Sequence, residues 1–133
     1  MNPTQLDIVD RFRAAVLEAT TKAYPVRYHA ICITTPFTGF AGEKFEFYVT
    51  EKGEITDGGS TFSLFRSLRC CQDYRDWLFR EDYLTAHGII ATHGRLVCAN
   101  TTPSGILRYA QGVAELQTKF QAHPLGEEEG AKP

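Results

Sequence analysis

In the stretch Lys44-Phe45-Glu46-Phe47-Tyr48-Val49-Thr50, every second residue is a large apolar side chain. Successive side chains of a strand point to opposite faces. This period therefore puts Phe45, Phe47 and Val49 against a core and Lys44, Glu46, Tyr48 and Thr50 on the other side. A strand buried on one face needs antiparallel neighbours and a second layer over its apolar side, which excludes an all-helical bundle. The flanking sequence supplies candidates. Before it lies the β-branched run Tyr28-His29-Ala30-Ile31-Cys32-Ile33-Thr34, closed by Thr35-Pro36-Phe37, with Gly39 and Gly42 in the following loop. After it, Lys52-Gly53 turns into Glu54-Ile55-Thr56. Three antiparallel strands in succession are expected.

Helices are expected on both sides of this unit. From Thr4 to about Lys22, Leu6, Val9, Phe12 or Arg13, Val16 and Leu17 keep the three-to-four spacing of one buried face. Thr4 and Asp7 resemble a capping box, and Tyr24-Pro25 ends the segment because proline has no amide to donate. After Asp57-Gly58-Gly59, Ser60 or Thr61 caps a short helix carrying Phe62, Leu64, Phe65 and Leu68. A second helix is expected from Gln72 to Ala86, with Tyr74, Trp77, Leu78 and Leu84, stopped by Gly88. Ile89-Ile90 and Arg95-Leu96-Val97-Cys98-Ala99, separated by Gly94, read as two short strands. Thr102-Pro103 then opens the last helix, a capping hydroxyl followed by proline at the first helical position. The expected fold is α+β: an antiparallel sheet of about five strands flanked by helices, in the order α-βββ-αα-ββ-α. Residues 1–123 make a single domain and 124–133, with Glu127-Glu128-Glu129, a disordered acidic tail.

A chain of 133 residues with 43% hydrophobic residues, nine Phe, six Tyr and one Trp has enough apolar mass for one core without staples. Its net charge of −2 gives no basic field for non-specific nucleic-acid or membrane-surface binding. No apolar run is long enough to span a bilayer, and Met1-Asn2-Pro3-Thr4 does not begin like a signal peptide. Cys32, Cys70, Cys71 and Cys98 are read as reduced thiols, and the protein as cytoplasmic.

Ile33-Thr34-Thr35-Pro36-Phe37, the strand ending Phe47-Tyr48-Val49, and Ile55-Thr56-Asp57-Gly58-Gly59 together resemble, in order and spacing, domain-of-unknown-function family 1828. Tyr83-Leu84-Thr85-Ala86-His87-Gly88-Ile89 resembles that family's segment before its next strand pair, so the likeness covers most of residues 5 to 122. The family's turn more often carries a second acid where this chain has Gly58. The resemblance implies a bacterial or phage origin, often near mobile elements, and supplies no activity. The order of elements is also similar to that of type III secretion chaperones, which are dimeric protein binders; that is a likeness of fold alone.

Asp57-Gly58-Gly59-Ser60-Thr61 is the sharpest local feature. A strand entering a helix through glycines can present free amides to a phosphate or other anion, and Asp57 at the strand end could act there as a base or a metal ligand. The plainer reading is a turn, with Asp57 accepting amide bonds and Ser60 or Thr61 capping. No Gly-Lys-Ser/Thr follows, so this is not a P-loop. Glu43-Lys44 and Glu51-Lys52 have the wrong order and spacing for a metal-dependent nuclease. His29, His87, His93 and His123 show no paired ligand spacing with the cysteines, so neither a metal nor another cofactor is expected.

Arg66, Arg69, Arg75 and Arg80 interleave with Tyr74, Trp77 and Phe79 in the manner of a single-strand binder. Asp73, Asp76, Glu81 and Asp82 return four negative charges, and Arg69–Asp73 and Asp76–Arg80 sit at pairing distance along a helix. A nucleic-acid partner is therefore the less favoured reading. Tyr48, Trp77, Phe79 and Tyr83, with Arg69 and Arg80, are the residue types that anchor protein interfaces. The expectation is a non-enzymatic domain that binds another protein, as a homodimer. In the setting the resemblance implies, it would be an inhibitor or accessory of a defence system, of the anti-CRISPR or antitoxin type. The alternatives are an enzyme centred on Asp57, with Glu46 or Glu54 nearby, acting on a phosphorylated or nucleic-acid substrate, and a nucleic-acid binder using Arg66 to Arg80.

Overall fold

The computed structural model describes residues 1–16, 22–67 and 81–122. Helix α1 (Pro3–Val16) leads into strand β1 (Lys22–Pro25), then β2 (Ile31–Thr38), β3 (Lys44–Val49) and β4 (Ile55–Thr56). Helix α2 (Ser60–Ser67) follows, then α3 (Glu81–Ala86), the hairpin β5 (Ile89–Thr92) and β6 (Arg95–Cys98), and the long helix α4 (Pro103–Ala122). The six strands form one antiparallel sheet in the order β1-β2-β3-β4-β6-β5. The fold is α+β.

The alternation of β3 sets the layering. Phe45, Phe47 and Val49 are buried, and Phe47 is the centre of the core. Its ring meets Phe12 of α1 edge-on at 5.2 Å and Tyr109 of α4 edge-on at 6.1 Å. Both long helices thus cover one face of the sheet. From α1 come Ile8, Val9 and Phe12; from α4 come Ile106, Tyr109, Ala110, Val113 and Leu116. Full burial of each large aliphatic or aromatic side chain contributes about 1.5–3 kcal/mol, so this sandwich is the main source of stability. No helix among the described residues is long and apolar enough to cross a membrane.

The sheet has one strand more than the sequence suggests. Lys22 opens β1 instead of ending the first helix, which stops at Val16 within the described residues. Lys22–Pro25 pairs with Ile31–Thr34, and the ladder outweighs local helical preference. Pro25 is tolerated because β1 is the outermost strand. The Val26 amide donates to the Ala30 carbonyl (2.9 Å), so in the alternating ladder Ala23 and Pro25 face away from β2, where a missing amide costs no hydrogen bond.

The start of α1 also differs from expectation. The capping pair is Asn2 and Gln5, not Thr4 and Asp7: the Gln5 amide donates to Asn2 Oδ1 (2.8 Å) and the Asn2 amide to Gln5 Oε1 (3.0 Å), with Pro3 at the first helical position. Consequently Gln5 turns inward, 2% exposed, and Leu6 turns outward, 48% exposed. The Gln5 side-chain amide then satisfies two carbonyls, His29 O (2.7 Å) and Val49 O (3.2 Å). The cap on α4 falls where Thr102-Pro103 places it, with the Gly105 amide donating to Thr102 Oγ1 (3.1 Å).

Candidate functional site

Strand β4 is two residues long because the chain turns away at Asp57, yet the ladder continues one rung further. Asp57 N–H donates to Leu96 O (3.1 Å), and the Leu96 amide donates to Asp57 Oδ1 (3.0 Å). The carboxylate stands in for the main-chain carbonyl, which is occupied in the turn by the Ser60 amide (3.3 Å). Oδ1 also accepts from the Gly59 amide (2.9 Å) and Oδ2 from the Thr61 amide (3.0 Å), while the Gly58 amide donates to Thr56 Oγ1 (3.1 Å). Every amide from Gly58 to Thr61 is thereby bound by an acceptor of the same junction. Asp57 and Thr61 are fully buried, and Thr61 Oγ1 accepts from Gln117 Nε2 of α4 (3.1 Å). The arrangement does the work of a turn and a helix cap.

Gly58 and Gly59 have positive φ (68° and 86°), as the turn requires. A Cβ at Gly58 would also meet the Tyr48 ring at 3.0 Å. In this chain the second turn position is shaped by an aromatic neighbour.

The interface residues expected from sequence separate. Tyr48 lies half-buried on the face of the sheet opposite the helices. Tyr83 of α3 is on the helical side, where its hydroxyl donates to Gly112 O (2.6 Å) and its ring stacks on His87 at 4.3 Å; burial raises its phenol above the usual range. Arg66 is exposed on α2. Arg69, Trp77, Phe79 and Arg80 lie outside the described residues.

On the face away from the helices, strand register aligns one residue from each strand: Tyr24, Cys32, Tyr48, Thr56, Val97 and Ile90. Cys32, Thr56 and Val97 are buried, whereas Tyr24 and Ile90, at the two ends, are 41% and 49% exposed. Glu46, one register step along, accepts from both the Tyr24 and the Thr34 hydroxyls at 2.9 Å through Oε2. Hydrogen bonding to Cys32, then to Glu46, keeps the Tyr24 phenol protonated above its usual range, and burial pushes the Cys32 thiol up to about 11.

Among the described residues, the most exposed aromatic is one that the sequence pattern puts inside a strand. Tyr28 is 90% exposed. It sits at the tip of the β1–β2 connection, which is closed by Val26 N–H to Ala30 O (2.9 Å) and Ala30 N–H to Arg27 O (3.3 Å). Tyr28 and its neighbour His29 both take left-handed backbone conformations, φ 61° and 58°. Each costs roughly 1–2 kcal/mol for a residue with a side chain, and the cost is met by surrounding contacts, here the Gln5 bond to His29 O. Two clefts border the loop. One, of about 400 Å3, is lined by Met1, Pro25, Val26 and Glu51; the other, of about 670 Å3, runs between Tyr28 and the Thr50–Glu54 turn. The Pro25 punctuation was the only signal in the sequence for a loop here.

Among the described residues, no three His, Cys, Asp or Glu side chains converge on a position that could hold a metal ion. Comparison with known family models, with curated proteins and with solved structures finds no match to this chain.

Proposed function

We propose that the protein is a non-enzymatic binding domain whose partner is another protein, gripped at the end of the sheet where Tyr28 is presented. The observation that carries this reading is Tyr28 itself: an almost fully exposed aromatic at positive φ, on a loop tied at both ends. A strained backbone that holds its side chain out of the core favours a role for that side chain outside the fold. An exposed tyrosine, with only two side-chain torsions to fix, gives large contact area for little loss of side-chain entropy, the usual property of an interface anchor. The cleft between Tyr28 and the Thr50–Glu54 turn offers room for partner side chains beside the ring, and a second cleft opens below the loop at Pro25, Val26 and His29. Asp57 supports the non-enzymatic side of the reading, since its buried carboxylate is consumed by three backbone amides.

The test is affinity capture from host lysate with the tagged chain and with Tyr28→Ala, read by mass spectrometry. One stoichiometric partner held by the wild type and lost by the variant is expected. Capture unaffected by the substitution, or no capture at all, would count against the reading.

A further inference from the structure

The two edges of the sheet are protected very differently. On β1, Lys22 is exposed and Pro25 points its nitrogen outward, two features that discourage another strand from docking. Strand β5, at the other edge, has neither. Residues 87–94 (His87-Gly88-Ile89-Ile90-Ala91-Thr92-His93-Gly94) contain no Asp, Glu, Lys, Arg or Pro, and the pairing of β5 with β6 is regular over all four residues.

The register says which groups face out. Ala99 N–H donates to Gly88 O (2.8 Å), so Gly88, Ile90 and Thr92 hydrogen-bond toward β6, and Ile89 and Ala91 turn their N–H and C=O away from it. Those four groups have no partner among the described residues. Ile90, between them, is 49% exposed on the face away from the helices.

We infer that β5 is a self-complementary dimerisation edge whose occupant is β5 of a second copy, antiparallel about a two-fold axis through Ile90. Setting Ile90 opposite Ile90 of the other copy places Ile89 of each chain opposite Ala91 of the other. Those two pairs are the hydrogen-bonded kind, so all four outward groups of each copy are satisfied at once. The Ile90 pair is the close, non-hydrogen-bonded kind, with Cα atoms about 4.5 Å apart, and it buries the exposed apolar side chain of each copy against the other. Every other two-fold register satisfies fewer of these groups. With no charged residue from 87 to 94, no like charges are brought together. The pairing fuses the two sheets into one of twelve strands. It leaves the Tyr28 loop, at the opposite edge of each copy, open.

The test is light scattering on the full chain across a concentration series, with Ile90→Lys and Ala91→Pro. Ile90→Lys sets two ammonium groups face to face on the axis. Ala91→Pro removes an outward amide that the β6 ladder does not use, as Pro25 already does on β1. A wild-type dimer is expected, with each variant dissociating at a dimer Kd raised roughly tenfold or more and circular dichroism unchanged. A dimer that survives both folded variants overturns the inference. So does a wild type that is monomeric at every concentration, which would leave this edge to a strand from a different protein. Loss of Tyr28-dependent capture has no bearing on either outcome.

Discussion

The Leu96 amide lies 3.0 Å from Oδ1 of Asp57, a side-chain oxygen standing where the next carbonyl of β4 would be. The same carboxylate receives the Gly59 and Thr61 amides, and it is fully buried. Asp57→Ala therefore strands three donors in the interior and should cost about 3–5 kcal/mol, at the upper end for a single substitution. Asp57→Asn keeps the shape but turns one acceptor into a donor, so an intermediate loss is expected. Urea unfolding followed by circular dichroism measures both. A fully stable Asp57→Ala would show that the three bonds contribute little.

Gln5 joins helix, loop and sheet through one side-chain amide. Gln5→Leu fills the same volume but leaves His29 O and Val49 O without their donor, and a loss of about 2 kcal/mol is expected. The same change should quicken amide exchange at Ala30, whose bond to Arg27 closes the loop, relative to amides of α4. Equal quickening everywhere would mean that Gln5 supports the fold generally and not this loop.

Tyr28→Gly is the rare substitution expected to raise stability, by about 1 kcal/mol, because glycine takes φ near +60° without strain. Tyr28→Ala keeps the strain and should lie within about 0.5 kcal/mol of wild type. Thermal melts distinguish them. A gain in stability together with lost capture would separate what the loop does for the fold from what it does for a partner.

Alkaline pH should destabilise the domain. Burial lifts the Cys32 and Cys98 thiols from 9.0 to about 11, and the Tyr24 and Tyr109 phenols move the same way. A raised folded-state pKa means stability that is complete below pH 9 and lost as pH rises toward 11. Each thiol accounts for about 2–3 kcal/mol when the loss is complete. Urea midpoints should hold steady up to about pH 8.5 and fall by about pH 10.5, less steeply in Cys32→Ser. Parallel slopes for variant and wild type would remove Cys32 from the effect.

The layering was legible in the sequence because Phe45, Phe47 and Val49 announce their own face, and Thr102-Pro103 marks a helix start by chemistry confined to neighbouring residues. What escaped depends on distant partners. Nothing in Lys22-Ala23-Tyr24-Pro25 alternates clearly enough to mark a strand; it becomes one because Ile31–Thr34 lies beside it. Gln5 and Leu6 exchange the expected inside and outside because two carbonyls 24 and 44 residues away need a donor. Tyr28 looked like the first residue of a strand, since a left-handed tyrosine is too uncommon to anticipate. Asp57 was legible as a turn, but its bond to Leu96 spans 39 residues and appears only once β6 is in place.

The sheet is six strands wide at its edges and nearly severed in the middle. Between β4 and β6 there is one paired position, Thr56 with Val97, and the Asp57–Leu96 exchange extends it. Mechanically the molecule is two ribbons, β1-β2-β3-β4 and β5-β6, stitched along a short seam and bridged across one face by α4. A pull on β5 would reach β1 through that seam and through Tyr109, whose hydroxyl grips Leu96 O at 2.6 Å. Under tension the seam should part before either ribbon unzips, so Asp57 sets how much force the sheet carries as one piece.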